Sequence, residues 1–208
     1  MKIMDKVKLH TRMYGWKYVW KEFAEEFGAT VDDPNPESSS AGMSMIVPIT
    51  KTPWALIYTM DPGMKGTNGG HTSIEVNYAP RGDFKFAIHP QKKIDDISKL
   101  LGMQDIIIGD KNFDPLFIVK GNDVSKVRDL FSVDQIRAYI IDEPSVQIWT
   151  HSDKMESKLS PKVVAGQPHV LSLRVPGAVD DFERLKRFYE LMGMLLITLC
   201  KVEAAVEG

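Results

Sequence analysis

The sequence predicts an α+β fold: antiparallel strands in two strand-strand-strand-helix groups, with an amphipathic N-terminal helix and a long apolar C-terminal helix. Three observations predict it. Apolar residues recur every three or four positions in residues 16–27 and again in 182–202. The period falls to two between residues 46 and 88 and again between 145 and 175. Gly, Pro, Asn and Asp cluster between these stretches, where turns belong.

The first helix carries Trp16, Val19, Trp20, Phe23 and Phe27 on one stripe, with Lys17, Lys21, Glu22, Glu25 and Glu26 opposite and Gly28 as its stop. It belongs to an N-terminal segment, residues 1–31, which a linker at 32–44 joins to a body at 45–208. The heart of that linker, Asp32 to Gly42, reads DDPNPESSSAG and has no apolar side chain larger than alanine. The body reads either as one unit or as two halves, 45–116 and 117–208, that share a core. Trp54 to Met60, Thr72 to Ala79 and Phe84 to Ile88 read as strands; in the second, Ile74, Val76 and Tyr78 alternate with Ser73, Glu75 and Asn77. Arg81-Gly82-Asp83 sits where the second and third are expected to turn back as a hairpin.

Gln91 to Leu101 reads as a short helix and Phe117 to Lys120 as a strand. Asn122 or Asp123 is placed to cap a helix bearing Val124, Val127 and Leu130, and Val133 to Ile141 continues as a second helical piece. Ser145 to Thr150, Lys154 to Leu159 and His169 to Val175 are the last strands, with Leu171, Leu173 and Val175 expected on one face. Asp180 ahead of Glu183 opens the final helix as a capping pair. Its stripe of Phe182, Leu185, Tyr189, Met192, Leu196 and Leu199 is widened by Phe188, Leu191, Leu195, Ile197 and Val202, so it needs cover on more than one side. Residues 54–101 and 145–203 share one order of elements without matching residues, which leaves a repeat as an expectation of topology alone.

Composition excludes several function classes. A chain of 208 residues buries about 70 % of its unfolded surface and needs no staples. With 26 Lys and Arg against 28 Asp and Glu, it lacks the basic surplus that neutralises nucleic-acid phosphates. The lone Cys200 fits a reducing, cytoplasmic setting and reads as a buried structural thiol. The longest uncharged apolar run, LMGMLLITLC, is half the roughly 20 residues that a membrane span needs.

No cofactor is expected. The glycine-dense DPGMKGTNGG precedes a strand and lacks a phosphate-loop pattern. Asp110-Lys111-Asn112-Phe113-Asp114 opens like a calcium loop, but Pro115 and Gly121 stand where that loop needs glycine and glutamate. His10, His71, His89, His151 and His169 are scattered without metal-ligand spacing, and no nucleophile elbow occurs.

The block from Gly102 to Asp123, GMQDIIIGDKNFDPLFIVKGND, has the most unusual grammar. It resembles a block of an uncharacterised prokaryotic protein family of unknown function, carried here by Gly102, Gln104, Asp105, Ile106, Gly109, Asp110, Phe113, Asp114, Phe117, Val119, Asn122 and Asp123. The resemblance implies no activity, substrate or catalytic residue. Members often carry N-terminal membrane segments, and this sequence departs from that. Physically, the short polar residues that bracket IIIG and LFIV read as turn wiring between two halves of the fold.

The first expectation is therefore a non-catalytic protein that binds another protein or its own copy. Its candidate interaction residues are Trp16, Trp20, Phe23 and Phe27 on the first helix, with Met192, Leu196 and Leu199 on the last. The alternatives are a small-molecule or lipid-binding protein with an apolar cavity under the C-terminal helix, and an enzyme with no recognisable motif.

Overall fold

The computed structural model describes residues 15–38, 40–63, 69–91, 103–152 and 168–207. Its elements in chain order are α1 (Trp16–Phe27), β1 (Thr30–Asp32), β2 (Met43–Pro48), β3 (Ala55–Asp61), β4 (His71–Tyr78), β5 (Phe86–Pro90), β6 (Gln104–Asp105), β7 (Phe117–Gly121), α2 (Val124–Leu130), α3 (Asp134–Ile141), β8 (Gln147–Ser152), β9 (His169–Pro176) and α4 (Phe182–Lys201). The fold is α+β, and its strands form one antiparallel sheet in the order β1-β2-β3-β4-β9-β8-β5-β7-β6. The expected helix at 91–101, from residue 92 on, and the expected strand at 154–159 lie outside the described residues.

Two compact units divide the chain: Met1–Glu75 with Arg174–Glu190, and Val76–Leu173 with Leu191–Gly208. Each unit joins segments remote in sequence.

In the first unit, α1 ends where Gly28, at φ +64, turns its amide back to the Ala24 carbonyl. That left-handed conformation is cheap only for a residue without a Cβ. β1 and β2 pair antiparallel with Thr30 opposite Ile46 and Asp32 opposite Ser44. Both ends of the expected linker are therefore strand, and only residues 33–42 connect them. Asp33 accepts from Lys17 and forms an ion pair with Lys21 at 3.0 Å. Burial pushes its carboxyl up, but the two ammonium groups outweigh this and hold it below the usual carboxylate range.

β2, β3 and β4 then alternate. Met43, Met45, Val47, Leu56, Tyr58, Met60 and Ile74 are buried on the side where α1 lies. The final helix is capped one residue later than expected: Asp181 accepts from the Arg184 amide at 2.7 Å, because the helix itself starts at Phe182.

In the second unit, β5 lies between β7 and β8, with Ile88 opposite both Val119 and Ile148. The expected β4–β5 hairpin does not form. Residues 79–81 pair instead with the C-terminal tail, through a Pro80–Ala205 bridge and bonds of 2.9 Å from Arg81 N to Ala204 O and from Val206 N to Ala79 O. Asp123 caps α2 by accepting from the Lys126 amide. Asn122 instead takes the Lys85 amide at 2.8 Å and donates to the Asp83 carbonyl. Phe86, Phe113 and Phe131 form one buried aromatic group there. β9 is buried from His169 through Leu173, so the expected one-sided alternation gives way to burial on both faces.

Candidate functional site

The aromatic residues of α1 make the core of the first unit. The Trp20 ring is wholly buried and donates its Nε1–H to the Val179 carbonyl at 2.9 Å. It meets Trp16 and Tyr58 edge-on at 5.2 and 6.1 Å. Phe23 packs between Tyr58 and Phe182, and Phe27, half-buried, rests on Phe23 and Tyr189. The buried Tyr58 hydroxyl donates to the Leu185 carbonyl, and burial, with Tyr189 adding, keeps the phenol neutral by raising its pKa. In the second unit Met192, Leu196 and Leu199 are likewise fully buried. Six of the seven candidate interaction residues thus spend their apolar surface inside the chain, and Phe27 is the exception.

Turn wiring occupies Asp110 and Asp114 of the 103–123 stretch, which lies within the second unit. Asp114 accepts from the amides of Ile108 and Gly109, and Asp110 from those of Asn112 and Phe113. Arg137 ties Asp110 down at 2.8 Å and also donates to the Phe131 carbonyl. The Asn112 amide, then Arg137, holds the Asp110 carboxyl below its usual range. These aspartates are committed to backbone, which is the role that short polar side chains take at tight turns.

One arrangement escaped sequence reasoning. His151 Nε2 lies 3.1 Å from the Ser172 hydroxyl, while its Nδ1 faces the Ser152 carbonyl at 3.3 Å. The two residues are 21 positions apart on β8 and β9, so no motif announces them. A base beside a hydroxyl has the elements of a nucleophilic pair. Here Ser172 is fully buried, with no surface for an incoming substrate. Among the described residues no group of three His, Cys, Asp or Glu could hold a metal ion, and no helix is long and apolar enough to cross a membrane. Burial, then Glu207, raises the Cys200 thiol, with Arg81 opposing, so it is a poor nucleophile.

The feature without an internal use lies on the sheet of the first unit, on the side away from α1. Ile46 of β2 and Ile57 of β3 stand directly opposite each other and are 51 % and 38 % exposed. In a strand successive side chains alternate in face, so Ser44, Thr59, Ser73 and Glu75 share that side with them and form a polar border. His71 and Asp61 are opposed at its end. Burial, then Arg174, holds the His71 imidazole below its ordinary pKa, with Asp61 pulling the other way. The alternation in TSIEVNYA announced such a wet face, but not its isoleucines.

No protein-family model and no curated protein matches the chain. Among solved structures the chain is similar to the crystal structure of the mycobacterial trehalose monomycolate transport factor A, TtfA. The likeness covers 93 % of this chain and 99 % of that one, with a TM-score of 0.53 and 9 % sequence identity. At that identity it shows the fold alone.

Proposed function

We propose that the chain is a non-catalytic accessory protein that works by binding another protein, a second copy of itself included. The observation that carries this reading is the Ile46–Ile57 pair, exposed on the face of the first unit's sheet away from α1 and bordered by polar side chains. An apolar centre with a polar rim is the anatomy of a protein-docking surface. Two isoleucines side by side on adjacent strands also stabilise a sheet, by roughly 0.2–1 kcal/mol, but that benefit does not require their exposure. The lone Cys200 supports a cytoplasmic setting. Kinship with the family of the 102–123 block stays a proposal that rests on those residues.

A photo-reactive residue placed at Ile57 in the native host tests the reading. A discrete crosslinked protein that disappears with Ile46→Glu supports it. A chain that crosslinks nothing, or whose crosslinks ignore Ile46→Glu, overturns it. The similar structure belongs to a protein named for the transport of trehalose monomycolate, and that name lends weight to a second reading: a small-molecule or lipid-binding protein with its ligand under the C-terminal helix. An amphiphile that co-purifies in native mass spectrometry would favour this second reading over the first.

A further inference from the structure

His169 opens β9 and is 7 % exposed, so a titratable ring is buried at the end of a strand. Its ring meets the Tyr78 ring edge-on at 5.8 Å. Among the described residues nothing hydrogen-bonds its buried Nδ1. A neutral imidazole can leave that nitrogen as an unused acceptor. An imidazolium carries a proton on both nitrogens and needs an acceptor for each.

Among the described residues, three charged or titratable groups besides Tyr78 act electrostatically on the ring: Lys85 and Asp83 from the segment before β5, and His151 from β8. Asp83 is already the partner of Lys85 at 2.8 Å and is 75 % exposed, so it makes a weak counter-ion. Tyr78 lies beside Thr150, and burial raises its pKa, so it stays a neutral phenol.

We propose that His169 is an acid-sensitive latch: its neutral ring holds the start of β9 against Tyr78, and proton uptake by that ring opens this end of the second unit. The electrostatics agree in direction. Burial first, then Lys85, holds the imidazole below its ordinary value, with Asp83 opposing and His151 adding to the depression. The unfolded or opened ring therefore binds a proton more readily than the closed one. The closing free energy is fully present above the ordinary histidine value and is lost as the pH falls from there through the depressed value. One proton raises the open fraction by at most about tenfold per pH unit within that window.

The test compares amide hydrogen exchange of the full chain at about pH 7.5 and about pH 5, corrected for intrinsic rates, across the pH range where histidine switches. The protection of Val170 and Leu171 is expected to fall on acidification while β2 and β3 stay protected. The same two amides in His169→Phe are expected to show no such fall. Wild-type protection that does not change with pH, or a fall that persists in His169→Phe, overturns the latch. Should His169→Phe not fold, the ring's own NMR titration decides in the wild type. A midpoint below the ordinary histidine value that coincides with the loss of protection supports the proposal, and an ordinary or raised midpoint overturns it.

Discussion

Replacing Trp20 by alanine separates a core role for α1 from a docking role. The side chain is fully buried, and large-to-small changes of this kind cost about 3–5 kcal/mol. The indole also donates to the Val179 carbonyl at 2.9 Å. Its loss leaves a buried acceptor unpaired, at about 1–3 kcal/mol. The edge-on contacts with Trp16 and Tyr58 disappear as well, though their energy is partly inside the first figure. A total on the order of 4–8 kcal/mol is comparable with the roughly 5–15 kcal/mol that keeps a whole domain folded. Urea unfolding followed by circular dichroism should therefore show Trp20→Ala unfolded, or with a sharply lowered midpoint. Trp20→Phe keeps an aromatic ring and loses the N–H, so its cost should approach the hydrogen-bond figure alone. If Trp20→Ala unfolds at the wild-type midpoint and merely changes its oligomeric state in light scattering, the assignment of α1 to the core is wrong. If Trp20→Phe is as damaging as Trp20→Ala, ring burial is not the main contribution.

Two further changes probe the second unit. A Cβ on Gly121 would lie 2.6 Å from Val127 Cγ2 and 3.2 Å from the Lys85 carbonyl, so Gly121→Ala should cost about 1–3 kcal/mol, and adding Val127→Ala should relieve part of that. The urea midpoints of the two singles and the double measure the coupling, and strict additivity would refute the clash. Asp123→Ala removes the α2 cap that accepts from the Lys126 amide and should cost about 1 kcal/mol, whereas the same change at Asp129, inside the helix, should cost less. Equal midpoints for the two variants would refute the cap.

Much of the fold was legible where a local period exists. The stripe of α1, the alternation of Ile74, Val76 and Tyr78, and the broad apolar face of α4 each encode a burial pattern that survives in the structure. β1 and β6 were not legible, because Thr30–Asp32 and Gln104–Asp105 are too short and too polar to show a period. The sheet order was not legible either. Nothing local in residues 79–81 reveals that they pair with Ala204–Val206 and do not open a hairpin between β4 and β5. Large apolar residues at helical spacing showed that α1 must be covered, but not whether its own chain or a partner covers it, since both burials use the same side chains. The Ile46–Ile57 pair stayed hidden because register is a property of two strands, and only the pairing brings them face to face.

The buried polar groups explain how this chain holds one arrangement. Burying a polar group costs free energy unless it is hydrogen-bonded. Lys17 is 4 % exposed and reaches both Asp33 and the Asn35 carbonyl, which pins the start of the β1–β2 connection to α1. Thr72 is fully buried; it donates to the Gly177 carbonyl and accepts from the Val179 amide, and so fixes the turn that delivers the acceptor for Trp20. Thr150 accepts from the Phe86 amide and so fixes β8 beside β5. Each contact joins segments far apart in sequence and is satisfied only in one alignment, so it penalises every other packing of the same apolar surfaces. These three side chains are also buried, at 4 %, 0 % and 4 % exposure for Lys17, Thr72 and Thr150, and so present little surface to a partner. Binding through a sheet face has no such limit, since Ile46 and Ile57 need only stay uncovered. That difference is the physical reason to seek the function on the open face of β2 and β3 before the polar interior.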